Sequence, residues 1–307
     1  MQVYKHMDIG SAKIRPEEMQ GIKHYLIDEL EPDEEFHVVR FQEMAKKALE
    51  EIYAKNKIPI VVGGTGFYIQ ALLYDIELAK RTGFNVIRKH IKVEPQRWYY
   101  HCDRLGLMVW QDMPCGCTKP VDTFKFAALP TVGLRYKKDN NYAFFGRTDA
   151  QGRAFAEREM LDLVSLLYNS PSVVLWVPFN EGWGQFDAAR MCERLKKADD
   201  TRPIDHASGW FDQGLGDLNS RHIYFSKVAI KPDGRVSAVT EFGGYALAVE
   251  GHTFGERGFG YKGYKNEEEL TAAYARLYEE QILPQMAQGL SAAVYTQLTD
   301  VEDELNG

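Results

Sequence analysis

Long apolar segments are missing from this sequence. No apolar run approaches the roughly 18 residues that a membrane-spanning helix needs, and no apolar stretch of the signal-peptide kind stands at the N-terminal end. We therefore expect no membrane partner and a cytoplasmic location. The sequence leaves the oligomeric state open.

Cysteine is scarce, and the few cysteines are not spaced as metal ligands. The chain of 307 residues contains four of them, which does not suggest a disulfide framework in a chain of this length. Cys115 and Cys117 are separated by one residue and have no second pair nearby, so a zinc site is not expected. The eight histidines show no His-x-x-x-His spacing. We expect neither a metal nor a cofactor.

Positive charge is also in short supply. The formal net charge of −7 argues against a protein that binds a phosphate backbone, although a local basic patch can persist in an acidic chain. A Gly-rich loop with Lys and Ser or Thr, of the kind that cradles phosphate groups, does not occur. A nucleic-acid partner is therefore not expected.

The sequence does contain an alternation of short apolar strands and amphipathic helices. This order predicts an α/β protein with a parallel sheet, and the length suffices for one (β/α)8 barrel of the TIM type or for two smaller domains. The predicted helices are Val38–Ala54, Phe67–Arg81, Phe155–Asn169, Ala188–Lys197 and Glu267–Gln288, in which Pro284 is expected to kink or end the helix. The predicted strands are Ile58–Gly63, Asn85–His90, Leu107–Asp112, Val173–Val177, Pro203–Ala207, His222–Phe225, Val236–Tyr245 and Ala292–Leu298.

Two of the predicted strands end on a glutamate. VVLWVPFNEGWG (Val173–Gly184) is an apolar run that leads into Asn180 and Glu181, and VSAVTEFGGY (Val236–Tyr245) repeats the pattern with Glu241. Barrel enzymes place their chemistry at the C-terminal ends of such buried strands. Two carboxylates there are the pair that a double-displacement glycosidase needs. The alternative for each glutamate is a solvated or salt-bridged surface residue.

The motifs Asn-Glu-Gly-Trp-Gly and Thr-Glu-Phe-Gly-Gly, with the tryptophans around them, resemble the catalytic barrel of family 2 glycoside hydrolases, which include β-galactosidase and β-glucuronidase. The resemblance runs from about Tyr74 to the end of the chain. It implies a carbohydrate substrate, a retaining hydrolysis of O-glycosidic bonds, Glu181 as the acid/base and Glu241 as the nucleophile. Glu181 must hold a proton when the bond breaks, so we expect its pKa to be raised by burial or by the neighbouring negative charge.

The same resemblance implies a set of sugar-binding residues. Asn180 would hold the 2-hydroxyl, Arg88 would hydrogen-bond the nucleophile, and Tyr224 would be the sixth-strand aromatic beside it. The structural alternative for Asn180 is a plain turn residue, and the alternative for Arg88 is an ordinary salt bridge. The further substrate-binding candidates are His90, Asp112 and Tyr295. Tyr295 stands where many relatives have Trp, and this leaves the sugar specificity open.

The N-terminal part resembles a different family. MQVYKHMDIGSAKIRPEEMQGIKHYLIDEL and IPIVVGGTGFYIQALLY are similar to tRNA dimethylallyltransferase, which transfers an isoprenoid group to an adenine of tRNA. In that family a phosphate-binding loop and a general-base Asp precede the Met-Gln-Val-Tyr motif, and this sequence contains neither. Thr65 is the one matched position for which the resemblance implies an active-site role.

The two resemblances meet near residues 73–77, inside a predicted helix. We expect a transferase-like α/β fragment over residues 1–57 and a glycosidase-like barrel over residues 58–307. Ile58–Gly63 and the hybrid helix after it would replace the family's first strand–helix unit, without which the barrel is incomplete. Three interpretations follow: a retaining glycosidase, an inactive chimeric or designed fold, and, least favoured, a tRNA prenyltransferase.

Overall fold

The computed structural model describes residues 2–8, 13–15, 17–36, 38–55, 57, 59, 76–119, 121–122, 138–250, 253 and 258–307. The chain divides into two compact units, Met1–Leu78 and Ala79–Gly307. Apart from Pro59, the predicted strand Ile58–Gly63 lies outside the described residues. The same is true of Thr65 and of the predicted hybrid helix before Ile76. The substituted first strand–helix unit therefore stays a prediction.

The described part of the first unit includes a long helix, α1 (Val38–Ala54), with the predicted bounds. Apolar residues recur along it at helical spacing, which gives the helix one face that can be buried. Ala45 on this helix is buried. Before the helix, the backbone makes a parallel bridge between Tyr4 and Leu30, and Val3 is buried beside it.

The remaining elements alternate strands and helices. They are α2 (Ile76–Arg81), β1 (Val86–Lys89), α3 (Gln96–Leu105), β2 (Met108–Asp112), α4 (Ala150–Leu167), β3 (Val173–Val177), α5 (Ala188–Ala198), β4 (Leu218–Ile223), β5 (Val236–Gly243), β6 (Tyr245–Ala246), β7 (Lys262–Gly263), α6 (Glu267–Leu277), a π-helical turn (Tyr278–Ile282), α7 (Leu283–Met286) and β8 (Leu290–Thr296).

Two parallel three-stranded sheets form the framework of the second unit. Their strand orders are β1-β2-β3 and β4-β5-β8. Apolar side chains from both sheets, including Trp110, Leu175, Leu218 and Ala238, pack into a single cluster. The two sheets therefore share one interior, as the two halves of a barrel wall do. The described strands do not close into a complete ring.

The chain between α5 and β4 supplies only isolated strand pairing. Parallel bridges join Trp176 to Ile204 and Asn180 to Ser208. The predicted strand Pro203–Ala207 is thus present as bridges beside β3 and not as a regular strand. Even so, the bridges place Ser208 directly next to the loop that carries the candidate acid/base.

Strand β4 begins at Leu218, whereas the sequence predicts a strand that starts at His222. Polar Asn219 and Ser220 are buried here because hydrogen bonds satisfy them. Asn219 Nδ2 donates to the Lys231 carbonyl at 2.7 Å, and Ser220 Oγ donates to Asp205 Oδ1 at 2.7 Å. Polar residues that are satisfied in this way break the apolar pattern on which the prediction depended.

The helix predicted over Glu267–Gln288 has three parts, because a π-helical turn separates α6 from α7. Pro284 lies in the first turn of α7, directly after the π-helical turn, so the hydrogen-bonding pattern of the helix changes beside the proline. The helical backbone continues through Pro284 to Met286. Among all the helices that are described, none is both long enough and apolar enough to cross a lipid bilayer.

Candidate active site

The candidate side chains come together at the C-terminal ends of the parallel strands. Because those ends meet at one edge of a parallel sheet, residues far apart in sequence become neighbours. The residues are Arg88 in β1, Asp112 in β2, Asn180 and Glu181 after β3, His222 in β4, Tyr224 after β4, and Glu241 in β5.

Glu181 and Glu241 face each other across a buried histidine. One oxygen of each carboxyl group and Nδ1 of His222 all lie within 4.8 Å of one another. Nδ1 is 2.7 Å from Glu181 Oε1 and 3.2 Å from Glu241 Oε2. The structure thus brings together the two glutamates that the sequence pairs as acid/base and nucleophile.

The two carboxyl groups have different surroundings. Burial raises the pKa of Glu181, against smaller opposing effects from the Trp183 hydrogen bond and from electrostatic interaction with His90 and Arg88. Glu241 instead accepts hydrogen bonds from Arg88 Nη1 at 3.0 Å and from the Tyr224 hydroxyl at 2.6 Å. One group is therefore suited to holding a proton, and the other is surrounded by donors that stabilise an anion.

Arg88 connects three of the candidate residues. Its Nε and Nη2 donate to Asp112 at 3.0 and 2.9 Å, Nη2 also donates to Asn180 Oδ1 at 2.7 Å, and Nη1 donates to Glu241. The arginine side chain is 3% exposed. Burial opposes its charge, but the carboxylates of Asp112 and Glu241 outweigh burial and raise the pKa of Arg88 above its usual range. Arg88 therefore stays charged inside the protein.

Tyr224 is fixed between the nucleophile candidate and the last strand. Its ring stacks on that of Tyr261 with centroids 3.6 Å apart, and its hydroxyl oxygen also lies 3.1 Å from the hydroxyl of Thr296. Burial, together with the charge of Glu241, raises the pKa of Tyr224 above its usual range. The hydroxyl therefore acts as a hydrogen-bond donor throughout the physiological pH range.

The Asn-Glu-Gly-Trp-Gly loop needs its glycines for close backbone approach. Glu181 has a φ of +50°, and Gly184 has a φ of +72°. A Cβ atom on Gly184 would lie 2.1 Å from the carbonyl oxygen of Gly116. The backbone N–H of Glu181 also donates to the Ser208 carbonyl at 2.9 Å. The turn that exposes Glu181 is thus packed against two other segments.

His90 and Asp112 occupy different depths of the site. His90 is 56% exposed, with Nε2 at 3.0 Å from Asn180 Nδ2 and 3.9 Å from Glu241 Oε1. Asp112 is 1% exposed, and its two oxygens accept from Arg88. His90 thus lies at the mouth of the site, whereas Asp112 lies beneath Arg88 and orients it.

The structure does not bring Tyr295 to the glutamates. Ala292 and Val294 point into the interior shared by the two sheets, and the alternate residues of β8 point to the other face. Tyr295 accordingly packs against Phe242 and Tyr274, with ring centroids 5.7 and 5.0 Å away. The last-strand residue at the site is the following one, Thr296.

His222 is the site residue that the sequence interpretation passed over. It precedes Tyr224 by two positions, and residues two apart in a strand point to the same face. That spacing was the available signal. Trp176, in the strand before the Asn-Glu motif, is fully buried, and its Nε1 donates to Asp199 at 2.9 Å.

The cluster of Glu181, His222 and Glu241 has a spacing that could suit a metal ion. Each of these atoms already has a hydrogen-bonding partner within the cluster. The guanidinium of Arg88 is 3.0 Å from Glu241 and 3.4 Å from His222 Nε2, so a cationic group already serves this site. We assign no metal to it.

A cavity of about 390 Å³ opens beside Asn180 and Trp183. Its other walls include Ile91, Cys115 and Val121. Small-molecule sites are commonly concave, mostly apolar and of this size, with a few polar groups that orient the ligand. The cavity places an apolar surface next to the polar cluster at the strand ends.

Comparison with protein families yields two matches. A family model described as glycosyl hydrolases family 2, TIM barrel domain, matches residues 61–231, which is more than half of the chain. The chain belongs to glycosyl hydrolase family 2. A second model, described as IPP transferase, matches residues 2–105. The two matches overlap over residues 61–105, the segment that includes the predicted join near 73–77.

The curated relatives agree with the second match. A tRNA dimethylallyltransferase from Lachnoclostridium phytofermentans is 61% identical over 92 residues, which are 30% of this chain and 29% of that protein. The chain spans about three tenths of the length of the curated relatives that it matches. The two resemblances seen in the sequence are confirmed as resemblances, and neither shows an activity.

Solved structures agree on the fold. A β-D-glucuronidase from Dictyoglomus thermophilum has a TM-score of 0.53 at 17% identity, over 76% of this chain and 43% of that chain. An FMN-binding β-glucuronidase from Facaelibacterium prausnitzii L2-6 has a TM-score of 0.50 at 19% identity, over 76% of this chain and 36% of that chain. At this identity the likeness shows a family 2 type of α/β fold and nothing further.

Proposed function

We propose that this family 2 chain is a retaining glycoside hydrolase that cleaves O-glycosidic bonds by double displacement. The observation that carries the proposal is the approach of Glu181 and Glu241, which place an oxygen of each carboxyl group within 4.8 Å. Retaining enzymes hold their carboxyl groups about 5–5.5 Å apart, and inverting enzymes about 6.5–9.5 Å apart. The short separation leaves no room for a water molecule between sugar and carboxylate, so the carboxylate itself attacks.

In the first step, Glu241 attacks the anomeric carbon and forms a glycosyl ester. Arg88 and Tyr224 orient the attacking carboxylate through hydrogen bonds of 3.0 and 2.6 Å. Glu181 donates its proton to the departing glycosidic oxygen, and burial, which raises its pKa, keeps that proton available.

In the second step, Glu181 is ionised and takes a proton from water. The water attacks the anomeric carbon and releases Glu241. Glu181 gives its proton to the leaving group in the first step and takes a proton from water in the second. One residue thus serves as acid and then as base. Two inversions at the anomeric carbon leave the sugar with its original configuration.

The polar residues around the pair have separate proposed roles. Asn180 Oδ1 accepts from Arg88, and Asn180 Nδ2 lies 3.0 Å from His90 Nε2. These contacts position Asn180 and His90 at the mouth of the site, where they would bind sugar hydroxyls. Asp112 acts through Arg88 and not directly on the sugar. The substrate class is a β-galactoside or β-glucuronide type of O-glycoside, as in the family members whose fold the chain resembles.

The proposal includes a closed barrel. The strands β1 and β8 stand at the ends of their sheets, and the proposal that Ile58–Gly63 supplies the missing first strand concerns residues that, apart from Pro59, lie outside the described part of the chain. Hydrogen exchange tests this placement. Amides of residues 60–62 should exchange as slowly as those of Val86 and Ile87, and rapid exchange in a folded protein would remove the strand from the barrel.

A panel of nitrophenyl β-glycosides tests the activity directly. The wild-type protein should hydrolyse at least one sugar of the panel, and Glu241→Gln should abolish that turnover. Glu181→Ala should still release dinitrophenol from the corresponding dinitrophenyl glycoside, because this leaving group needs no proton, while its turnover of poor leaving groups collapses. Glu193→Gln is the matched control, because Glu193 is 64% exposed on α5 and pairs with Lys197.

A folded protein without turnover would support the second interpretation, an inactive chimeric fold. The required observation is a cooperative melt together with no hydrolysis of any panel sugar. The IPP transferase match favours testing a third activity. The purified protein is incubated with an isoprenoid diphosphate and an anticodon stem-loop, and prenylated RNA would establish transferase activity in place of the glycosidase.

A further inference from the structure

The imidazole of His222 lies between the two glutamates, and its side chain is completely buried. Its Nδ1 is 2.7 Å from Glu181 Oε1 and 3.2 Å from Glu241 Oε2. The double-displacement steps themselves use no group on this ring. A buried polar side chain placed between two reacting groups can nevertheless fix their geometry and their affinity for protons.

The partners of Nε2 determine which nitrogen carries the hydrogen. Arg88 Nη1 is 3.4 Å from Nε2, and a guanidinium can only donate hydrogen bonds. Nε2 is therefore the acceptor of the Arg88 hydrogen bond, and the hydroxyl oxygen of Ser208 lies 3.2 Å from it. The hydrogen of a neutral ring then lies on Nδ1, where it faces both glutamates.

The ring is neutral because of its position. Burial lowers the pKa of His222 to about 3, with reinforcement from the positive charges of Arg88 and His90 and opposition from the charge of Glu241. At neutral pH the ring thus offers one N–H to two carboxyl oxygens. A donor to a carboxylate favours the ionised form, so this N–H counteracts the effect of burial at Glu181.

The ring is also held from behind. A Cβ atom on Gly209 would lie 2.3 Å from Cγ of His222, and Gly209 has a φ of +83°. Ser208 Oγ, which contacts Nε2, donates to Thr240 Oγ1 at 2.9 Å. The imidazole therefore packs against the backbone of Gly209, and its Nε2 contacts the hydrogen-bonded hydroxyls of Ser208 and Thr240. These contacts leave the ring little freedom to rotate.

We propose that His222 is a positioning residue, a neutral imidazole whose Nδ1 hydrogen holds Glu181 and Glu241 at their separation and limits how tightly Glu181 binds its proton. This inference rests on the proposed glycosidase function. The charged or titratable groups that act on the ring are Glu181, Glu241, Arg88, His90 and Asp112.

The pH dependence of kcat/KM separates positioning from simple packing. In His222→Leu, which has similar bulk and no N–H, Glu181 loses a donor to its ionised form. The alkaline limb, which reports loss of the acid's proton, should move to higher pH by about one unit. His222→Asn places an amide N–H close to the position of Nδ1 and should return the limb toward its wild-type pH.

A second buried histidine provides the control. His206 is 1% exposed, and its Nε2 lies 3.2 Å from Asp212 and accepts from the Gln213 backbone N–H at 2.9 Å. His206→Asn should leave the alkaline limb in place, even if the protein loses stability. An unshifted limb in His222→Leu, or identical limbs in the Leu and Asn variants, would overturn the proposal and leave His222 as a packing residue.

Nitrogen-15 NMR of histidine-labelled wild-type protein gives a result that needs no turnover. The signals that disappear in His222→Asn identify the residue. We expect them to show a protonated Nδ1 and a bare Nε2 that do not titrate between about pH 5 and 8. A protonated Nε2, or a titrating ring, would overturn the proposal. Absence of turnover on the glycoside panel defeats the proposed function instead, whatever the NMR signals show.

Discussion

Replacing Arg88 with methionine, a side chain of similar length without charge, tests the polar centre of the site. The arginine is 3% exposed, and the Asp112 side chain beneath it is 1% exposed. In Arg88→Met the Asp112 carboxylate loses both of its arginine hydrogen bonds and keeps the Ile91 N–H at 3.2 Å. Removal of one partner from a buried ion pair destabilises a protein by about 3–5 kcal/mol.

Tryptophan fluorescence measures the loss of stability in the second unit separately from the first. All five tryptophans lie between Trp98 and Trp210, inside Ala79–Gly307, so their fluorescence reports on this unit. We expect urea unfolding to show the loss of about 3–5 kcal/mol, and thermal unfolding to shift down by roughly 6–20 °C.

A double-mutant cycle supplies the control. Replacing both partners, as in Arg88→Met with Asp112→Leu, removes the unpaired charge, so the double variant should be more stable than the sum of the two single effects predicts. The reasoning is refuted if Arg88→Met costs less than about 1 kcal/mol. It is equally refuted if the two substitutions are additive, because Asp112 would then not depend on Arg88.

Three further predictions concern single residues. Tyr224→Phe removes the 2.6 Å hydrogen bond to the nucleophile and should lower kcat by about 10- to 100-fold with little change in melting temperature; an unchanged kcat would contradict the assigned contact. Gly184→Ala should destabilise the protein more than Gly214→Ala does, because both have φ near +70° but only a Cβ at Gly184 would strike the Gly116 carbonyl; equal losses in urea unfolding would refute this. Burial raises the pKa of Asp205, whose Oδ2 has no hydrogen-bond partner among the described residues. The folded state therefore binds this proton more tightly than the unfolded state, and the free energy of unfolding should fall as pH rises above about 4. The free energy of unfolding of Asp205→Asn should fall less over that pH range. An equal pH dependence in the wild-type protein and the variant would contradict this assignment to Asp205.

The sequence was most informative where a strand runs directly into a polar motif. Glu181 and Glu241 each follow an apolar run, and the structure brings them to one edge. Arg88 was identified by the family resemblance, but its bidentate pairing with Asp112 depends on strand register and not on local sequence.

Other features depended on information that local patterns do not contain. Tyr295 and Thr296 are consecutive residues of one strand, so their side chains lie on opposite faces of the sheet. Thr296 faces the interior, and Tyr295 faces the helices. The start of β4 was missed because its polar residues are satisfied by distant partners such as Asp205. His222 was passed over because its significance comes from two glutamates on other strands.

The most direct test of the central claim is identification of the residue that bonds to the sugar. The protein is incubated with the 2-deoxy-2-fluoro analogue of a glycoside that it hydrolyses, carrying a good leaving group, and is then examined by intact-mass and peptide mass spectrometry. The double-displacement account predicts one added fluorosugar per chain, attached to Glu241, and no addition in Glu241→Gln. Attachment at another residue, or hydrolysis of the parent glycoside without any adduct, would contradict it.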